Sequence, residues 1–381
     1  MSVAEIVNGI IVPSHDGHFP GVFDGCGKPF DDMKEYYDDR YERDSGSILP
    51  IVERDEEVVF GGRIVEHFGH FMFESLGRLW AMLDPAYADK KIVFVSSNKW
   101  IVKPECIERT VSVVRMMGIA PDKIEILDNV HNSFRFRKIY VPEPAKAHGF
   151  GDSFNVRFKD IFDRVRENLP DTYKGVDKVF YSRDFTKSGT GSIIGEKKIV
   201  DVFRRNGFKV FYPDDMTMLE QMSLMKHCKV LAGFGGSSFH QSVFMPDGSG
   251  LLYLSRYTDL YTGSMAIQCN VMDYFKGMRS TYIEANANIG NLKCSEPCLA
   301  APTRGLLQWL DDNGFKYRPA ELGILRSEIG EYMCRFEAEK VRLDKDARRR
   351  YPRWLVRFFC LFVLKWKNRQ HIMEKYGPNS A

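Results

Sequence analysis

Apolar and polar positions alternate along this chain in two repeating styles, short buried runs and longer amphipathic ones. Lys91–Ser96 (KIVFVS) is short, apolar and β-branched, which predicts a buried strand. Glu57–Phe60, Lys123–Leu127 and Lys138–Val141 predict further strands, and Ile6–Val12 predicts another near the start. Between them, Pro104–Met117 has helical spacing closed by Gly118, and Phe154–Asn168 is a helix ending before Pro170. Asp31–Asp44 is acidic and tyrosine-rich, a loop or short helix, and Pro142–Asp152 is a connection. A second set of strands follows at Lys178–Ser182, Lys209–Tyr212, Lys229–Ala232 and Leu251–Leu254. Helices Glu196–Asn206, Thr217–His227 and Ser237–Val243 separate them, the first with Ile199, Val202 and Phe203 inward and Gly207 as its stop. Strands alternating with helices predict parallel sheets, so the fold class is α/β with two Rossmann-like units and a hinge near 169–177. Residues 257–300 are less regular, and Thr303–Asn313 and Glu321–Val341 read as helices.

One amphipathic stretch differs from the rest. Gly61–Leu83 (GGRIVEHFGHFMFESLGRLWAML) reads as a helix opened by glycines. Phe68, Met72, Leu76, Leu79 and Leu83 form an apolar seam at helical spacing. His67, His70, Glu74 and Arg78 form a second stripe on roughly the opposite side. A helix starting at Gly69 would leave His67 in the approach loop. A solvated face would normally carry Lys, Glu and Gln. Two imidazoles, a carboxylate and a guanidinium in one file suit acid–base chemistry as well as they suit an ordinary surface. His67, His70 and Glu74 are also possible zinc ligands, though their spacing is not HExxH.

Composition narrows the class. The chain has 381 residues, 44% hydrophobic and 28% charged, which is globular and large enough for two domains. The net charge of +3 is uneven: residues 348–369 carry eight basic side chains and no acid, which leaves the rest at −5. An acidic body of that kind argues against nucleic acid as a partner. The eight cysteines are scattered, and only Cys294 and Cys298 lie close in sequence. With no zinc set and no signal-like N-terminus, reduced thiols and a cytoplasmic protein are expected.

Two loops of the second unit lie where parallel sheets bind ligands, beyond the carboxyl ends of strands. The first begins at Arg183, is rich in Gly and hydroxyl groups, and carries Lys187. Arg183 and Lys187 suit a diphosphate, one as a planar fork and the other as a point charge. The second is Gly233-Phe234-Gly235-Gly236-Ser237-Ser238-Phe239-His240, a turn into a helix that can receive an anion. Its spacing is neither Walker A nor GxGxxG, and Phe239 stands where a GxSxG elbow needs glycine.

Taken in order, HFGHFMFESLGRLW, then KVFYSRD, then NGFKVFYPDD with EQ on the next helix and VLAGFGGSSFHQSVF resemble family 61 glycosyltransferases. The bacterial capsule and exopolysaccharide members are the nearest in pattern, and the resemblance spans roughly residues 60–255. His70 and Glu74 match the first motif, Arg183 the strand-end arginine, and Gly236, Ser237 and His240 the turn and its helix. Gly235 stands where many members carry histidine, Gln241 where asparagine often follows, and the second Arg and Asn-Glu pair are reduced to Gly195-Glu196.

The resemblance implies a GT-B fold, with two Rossmann-like domains facing across a cleft. It implies inversion at the anomeric carbon, no required metal, and a nucleotide-sugar co-substrate, UDP-sugars first among them. Residues 1–172 would be the acceptor domain, 173–300 the donor domain, 301–345 C-terminal helices and 346–381 a basic aromatic tail. His70 and Glu74 would be catalytic. Arg183, Lys187, Gly235, Gly236, Ser237, Ser238 and His240 would bind the donor, with His67 and Arg78 on the acceptor side. The acceptor would be a growing surface polysaccharide or a lipid-linked saccharide. The tail interleaves Trp354, Phe358, Phe359, Phe362 and Trp366 with basic residues, which suits either an anionic membrane surface or packing on the body. The other classes open to this sequence are a catalytically silent sugar-nucleotide-binding module and a hydrolase using Ser237.

Overall fold

A computed structural model describes residues 1–13, 21–30, 48–66, 68–96, 103–127, 131–145, 157–183, 193–256, 276–289 and 297–343. The chain divides into two units. The first holds Met1–Tyr173 with Met218–Lys226 and His240–Met245. The second holds Lys174–Thr217, His227–Phe239 and the described residues from Pro246 onward. Asp31–Asp44, His67, Lys187 and the tail 346–381 lie outside the described residues.

The first unit is built on strands β1 (Val3–Val7), β2 (Ile10–Val12), β3 (Gly21–Phe23), β4 (Ile51–Ile64), β5 (Lys91–Ser96), β6 (Ile124–Leu127) and β7 (Ser133–Pro142). Their order is β3-β2-β7-β4-β5-β6, with β1 also paired to β7. Strands β4 to β7 are parallel, as the alternation predicts, while β1, β2 and β3 add antiparallel pairings. The single strand expected over Ile6–Val12 is broken, because Asn8 sits at φ +52°. The ladder continues across the break: Asn8 N donates to Arg137 O at 2.9 Å, and Phe136 N donates to Gly9 O at 2.9 Å. Val58, Phe60, Val93, Val95, Phe136 and Ile139 form the core on one face. Helix Pro104–Met116 starts on its proline and is followed by Gly118 at φ +91°. Helix Arg157–Asn168 meets it where Asn168 Nδ2 donates to Met116 O at 2.9 Å.

The second unit contains β8 (Lys178–Tyr181), β9 (Ile193–Ile194), β10 (Lys209–Phe211), β11 (Val230–Phe234), β12 (Gly250–Ser255), β13 (Arg279–Glu284) and β14 (Cys298–Leu299). Five of them form a parallel sheet in the order β10-β8-β11-β12-β13. β9 and β14 pair separately. Strand β13 falls in the stretch the sequence leaves irregular. It is RSTYIE with only Ile283 fully buried, so it offers no apolar run. Phe180, Phe203, Ala232, Leu252, Leu254 and Leu306 fill one core. A second, of Ile194, Leu299, Ile329, Tyr332 and Met333, seats helix Arg326–Leu343. The helix expected over Glu321–Val341 is two, Pro319–Leu322 and Arg326–Leu343. Between them Leu325 N donates to Glu328 Oε2 at 2.7 Å, an N-terminal cap that starts the second helix afresh.

Candidate active site

The stretch Gly61–Leu83 is not one helix. Gly61 and Gly62 belong to β4, where the pairing with β5 slips: Phe60 pairs with Val93, and Gly62 with Phe94. Gly61 is the extra residue of a bulge. A Cβ at Gly61 would come 2.7 Å from the Phe94 ring, and Gly62 sits at φ +94°. A one-residue insertion sends every later side chain to the opposite face. Arg63 therefore pairs with Val95 instead of Ser96.

After the strand, Phe68–His70 makes a short α-turn, Phe71–Ser75 a π-turn, and Leu79–Leu83 a 3-10 helix. The apolar seam is nonetheless real: Met72, Leu76 and Leu79 are fully buried. Several bonds pin this irregular path. Val65 N donates to Ser75 Oγ at 3.0 Å, and Trp80 Nε1 donates to Glu143 O at 2.8 Å. Arg109 donates to the carbonyls of Val65 and Glu66, both at 3.1 Å, with its guanidinium 4.3 Å from the Phe71 ring centre. Burial holds the Arg109 pKa below the ordinary guanidinium value. Arg78 leaves the expected polar file. It is 0% exposed, donates to Pro142 O, and lies over the Phe60 ring. Arg78 sits where the path passes from the π-turn to the 3-10 helix, just before Leu79.

His70 and Glu74 do meet. The His70 Nδ1 is hydrogen-bonded to Glu74 Oε1. An ionised carboxylate only accepts, so this bond gives Nδ1 the proton and makes Nε2 the basic nitrogen. The His70 side chain is 36% exposed and Glu74 only 9%. The second carboxylate oxygen, Oε2, lies 3.7 Å from Arg63 Nη2, and Arg63 is 6% exposed. The result is a graded row from buried guanidinium to half-open imidazole. Among the described residues, no group of three or more His, Cys, Asp and Glu side chains is arranged to hold a metal ion.

In the second unit the strand order, counted in chain order within the five-stranded sheet, is 2-1-3-4-5. The order reverses between β8 and β11, and sheets of this type bind ligands beyond the carboxyl ends of the two strands flanking that reversal. Arg183 follows β8 and the glycine turn follows β11. The two touch: a Cβ on Gly236 would collide with the Arg183 guanidinium. Gly233, at φ +152°, is needed because a Cβ there would stand 2.5 Å from Tyr181 O. The start of Arg183 is fixed by Glu196, a carboxylate 1% exposed. Its oxygens accept from Arg183 N at 2.8 and 3.1 Å, and one accepts from Ser182 Oγ at 3.1 Å.

Gly235 N donates to Leu254 O at 2.9 Å and Phe239 N to Gly236 O at 3.0 Å. Ser237 and Ser238 are half-buried. The expected α-helix here is a 3-10 helix, Ser237–Phe244, and His240 within it is buried and belongs to the first unit. A second arginine, Arg256, follows β12 and is 8% exposed. Burial pushes the Cys298 thiol up to about 12.

Residues 68–252 match the family model described as Glycosyltransferase 61. The chain belongs to glycosyltransferase family 61. A comparison with curated proteins finds no match. As a family 61 glycosyltransferase the protein handles a sugar donor and an acceptor. The match contains His70, Glu74, Arg183, Gly235, Gly236, Ser237, Ser238 and His240. It does not contain Arg63 or Arg256, which the sequence reading passed over. Arg63 was findable as the one charged residue behind a Gly-Gly pair in a strand. Arg256 was findable as an arginine at a strand end, the same signal that singled out Arg183. Glu196 gives no such signal, since a first-turn carboxylate on a helix is commonplace.

Proposed function

We propose that this glycosyltransferase is an inverting, GT-B enzyme moving a sugar from a nucleotide-sugar, a UDP-sugar first among candidates, to a saccharide acceptor of a surface polysaccharide or glycolipid. The observation that carries the reading is the His70–Glu74 pair, an imidazole whose Nδ1 is held by a buried carboxylate. In the reaction the acceptor hydroxyl oxygen bonds to the anomeric carbon. The bond from that carbon to the diphosphate oxygen breaks, and its electron pair leaves with the nucleoside diphosphate. The acceptor proton passes to His70 Nε2. A positioned base of this kind contributes roughly 10²–10⁴-fold.

The leaving diphosphate needs positive groups placed in advance. Arg183, which follows β8 and lies against the glycine turn, supplies them in the second unit with Arg256 at the end of β12. A ligand at this turn would meet Gly236, Ser237 and Ser238. Family membership favours transfer over a hydrolase built on Ser237. A lipid-linked acceptor would be met at an anionic membrane surface, with the basic, aromatic residues 348–369 as the contact.

The test separates the two sites. His70→Ala should lower kcat by about 10²–10⁴-fold while donor Kd, read by calorimetry with UDP-sugars, stays within about twofold. Equal loss of donor affinity in His70→Ala and Arg183→Ala would overturn the division of roles. Tight donor binding by the wild type with neither transfer nor hydrolysis would instead identify a silent binding module.

A further inference from the structure

We propose that Arg63 is a positioning residue for transfer, acting through Glu74 on the His70 imidazole; the proposal rests on the reading of His70 as the base. Glu74 is buried, and a carboxylate so far from water is oriented by the cation beside it. Without that cation the carboxylate could turn, and its bond to Nδ1 would no longer dictate where the imidazole keeps its hydrogen. Arg63 Nη2, 3.7 Å from Oε2, supplies the cation on the side of the carboxylate away from His70. Held in that orientation, Glu74 Oε1 accepts from Nδ1 and leaves Nε2 as the basic nitrogen.

The backbone is shaped to this end. If β4 ran on with no bulge at Gly61, Arg63 would pair with Ser96 and its side chain would leave the opposite face of β4. The bulge requires glycine, since Phe94 fills the place of a Cβ. Among the described residues, two basic groups on neighbouring segments have partners of their own. Lys103 pairs with Glu66 at 3.0 Å, and Arg109 donates to the Val65 and Glu66 carbonyls. Arg63 and Glu74, both nearly sealed from water, face each other beside His70.

The experiment compares Arg63→Met, Arg63→Lys and His70→Ala in the full-length chain labelled with ¹⁵N-histidine. The His70 signals are assigned by their absence in His70→Ala. Arg63→Met is expected to lower kcat about 10- to 100-fold at unchanged donor KM. Its His70 nitrogens should move from the Nδ1–H tautomer to a mixture. Arg63→Lys should restore the tautomer and most of the rate. Wild-type tautomer and rate in Arg63→Met would overturn the proposal. If Arg63→Met does not fold, Arg63→Gln replaces it, and an unchanged Nδ1–H tautomer with wild-type rate there is equally fatal. If His70→Ala keeps full activity, the reading of the base fails, while the nitrogen signals still decide whether Arg63 sets the tautomer.

Discussion

The two units reach their candidate sites by opposite means. In the second, the polar groups stand where an ordinary parallel sheet puts a ligand: Arg183 and the glycine turn end the two strands on either side of the order reversal. The backbone is regular up to that point, and two glycines, Gly233 and Gly236, make room. In the first, the row Arg63–Glu74–His70 depends on irregularity at each step, a bulge in β4 and then a π-turn. Bulges and π-turns re-aim side chains that a regular element would misplace, and they cluster at functional sites for that reason. Charge capture tolerates a general solution, because an anion needs only donors nearby. A proton-transfer pair needs two atoms at hydrogen-bond distance in one orientation.

Substitutions at the two glycines test this contrast most sharply. Gly61→Ala should force Phe94 or β4 to shift and disturb Arg63, lowering kcat about 100-fold with donor affinity retained, since a misplacement near 1 Å costs that much. Steady-state kinetics beside donor calorimetry would read it, and a loss of affinity instead of rate would break the comparison. Gly236→Ala should do the reverse. Its Cβ displaces the Arg183 guanidinium, and losing one charge-assisted hydrogen bond of about 1.5–3 kcal/mol should weaken donor binding roughly 10- to 100-fold. An intact Kd in Gly236→Ala would remove Arg183 from the donor site.

The smallest effect is on alkaline stability. Burial pushes the Cys228 and Cys298 thiols, both in the second unit, up to about 12. Their folded pKa values exceed the unfolded one of about 8.5. The stabilisation is therefore complete below about pH 8.5 and is lost as pH rises toward 12. Urea unfolding followed by tryptophan fluorescence should show a midpoint falling over that range, and Cys228→Ala with Cys298→Ala should flatten it. A midpoint independent of pH would show that these thiols do not titrate on unfolding.

Much of this was legible in residue order. Helices Pro104–Met116 and Glu196–Arg205 and strand Lys91–Ser96 follow the apolar pattern closely, since each buries one continuous face or run. The pairing of His70 with Glu74 was also legible, because four residues on any helical path bring side chains together. Other features were hidden. Strand β13 is an exposed, polar edge, and β4 runs far beyond its apolar part because charged cross-strand pairs such as Arg135–Glu53 extend it. Arg78 shared a stripe with His70 only for as long as one regular helix was assumed.

The order of residues by itself determined that this is an α/β protein of two sheet-bearing parts and that it belongs to family 61, because periodicity and motif spacing are local properties. Tertiary structure alone decided that Arg63 serves Glu74, that Arg78 is sealed inside, and that Met218–Lys226 and His240–Met245 pack with the first unit. Those outcomes depend on strand register and on which face a side chain leaves from. A single inserted residue such as Gly61 reverses that face, and only pairing with β5 reveals it.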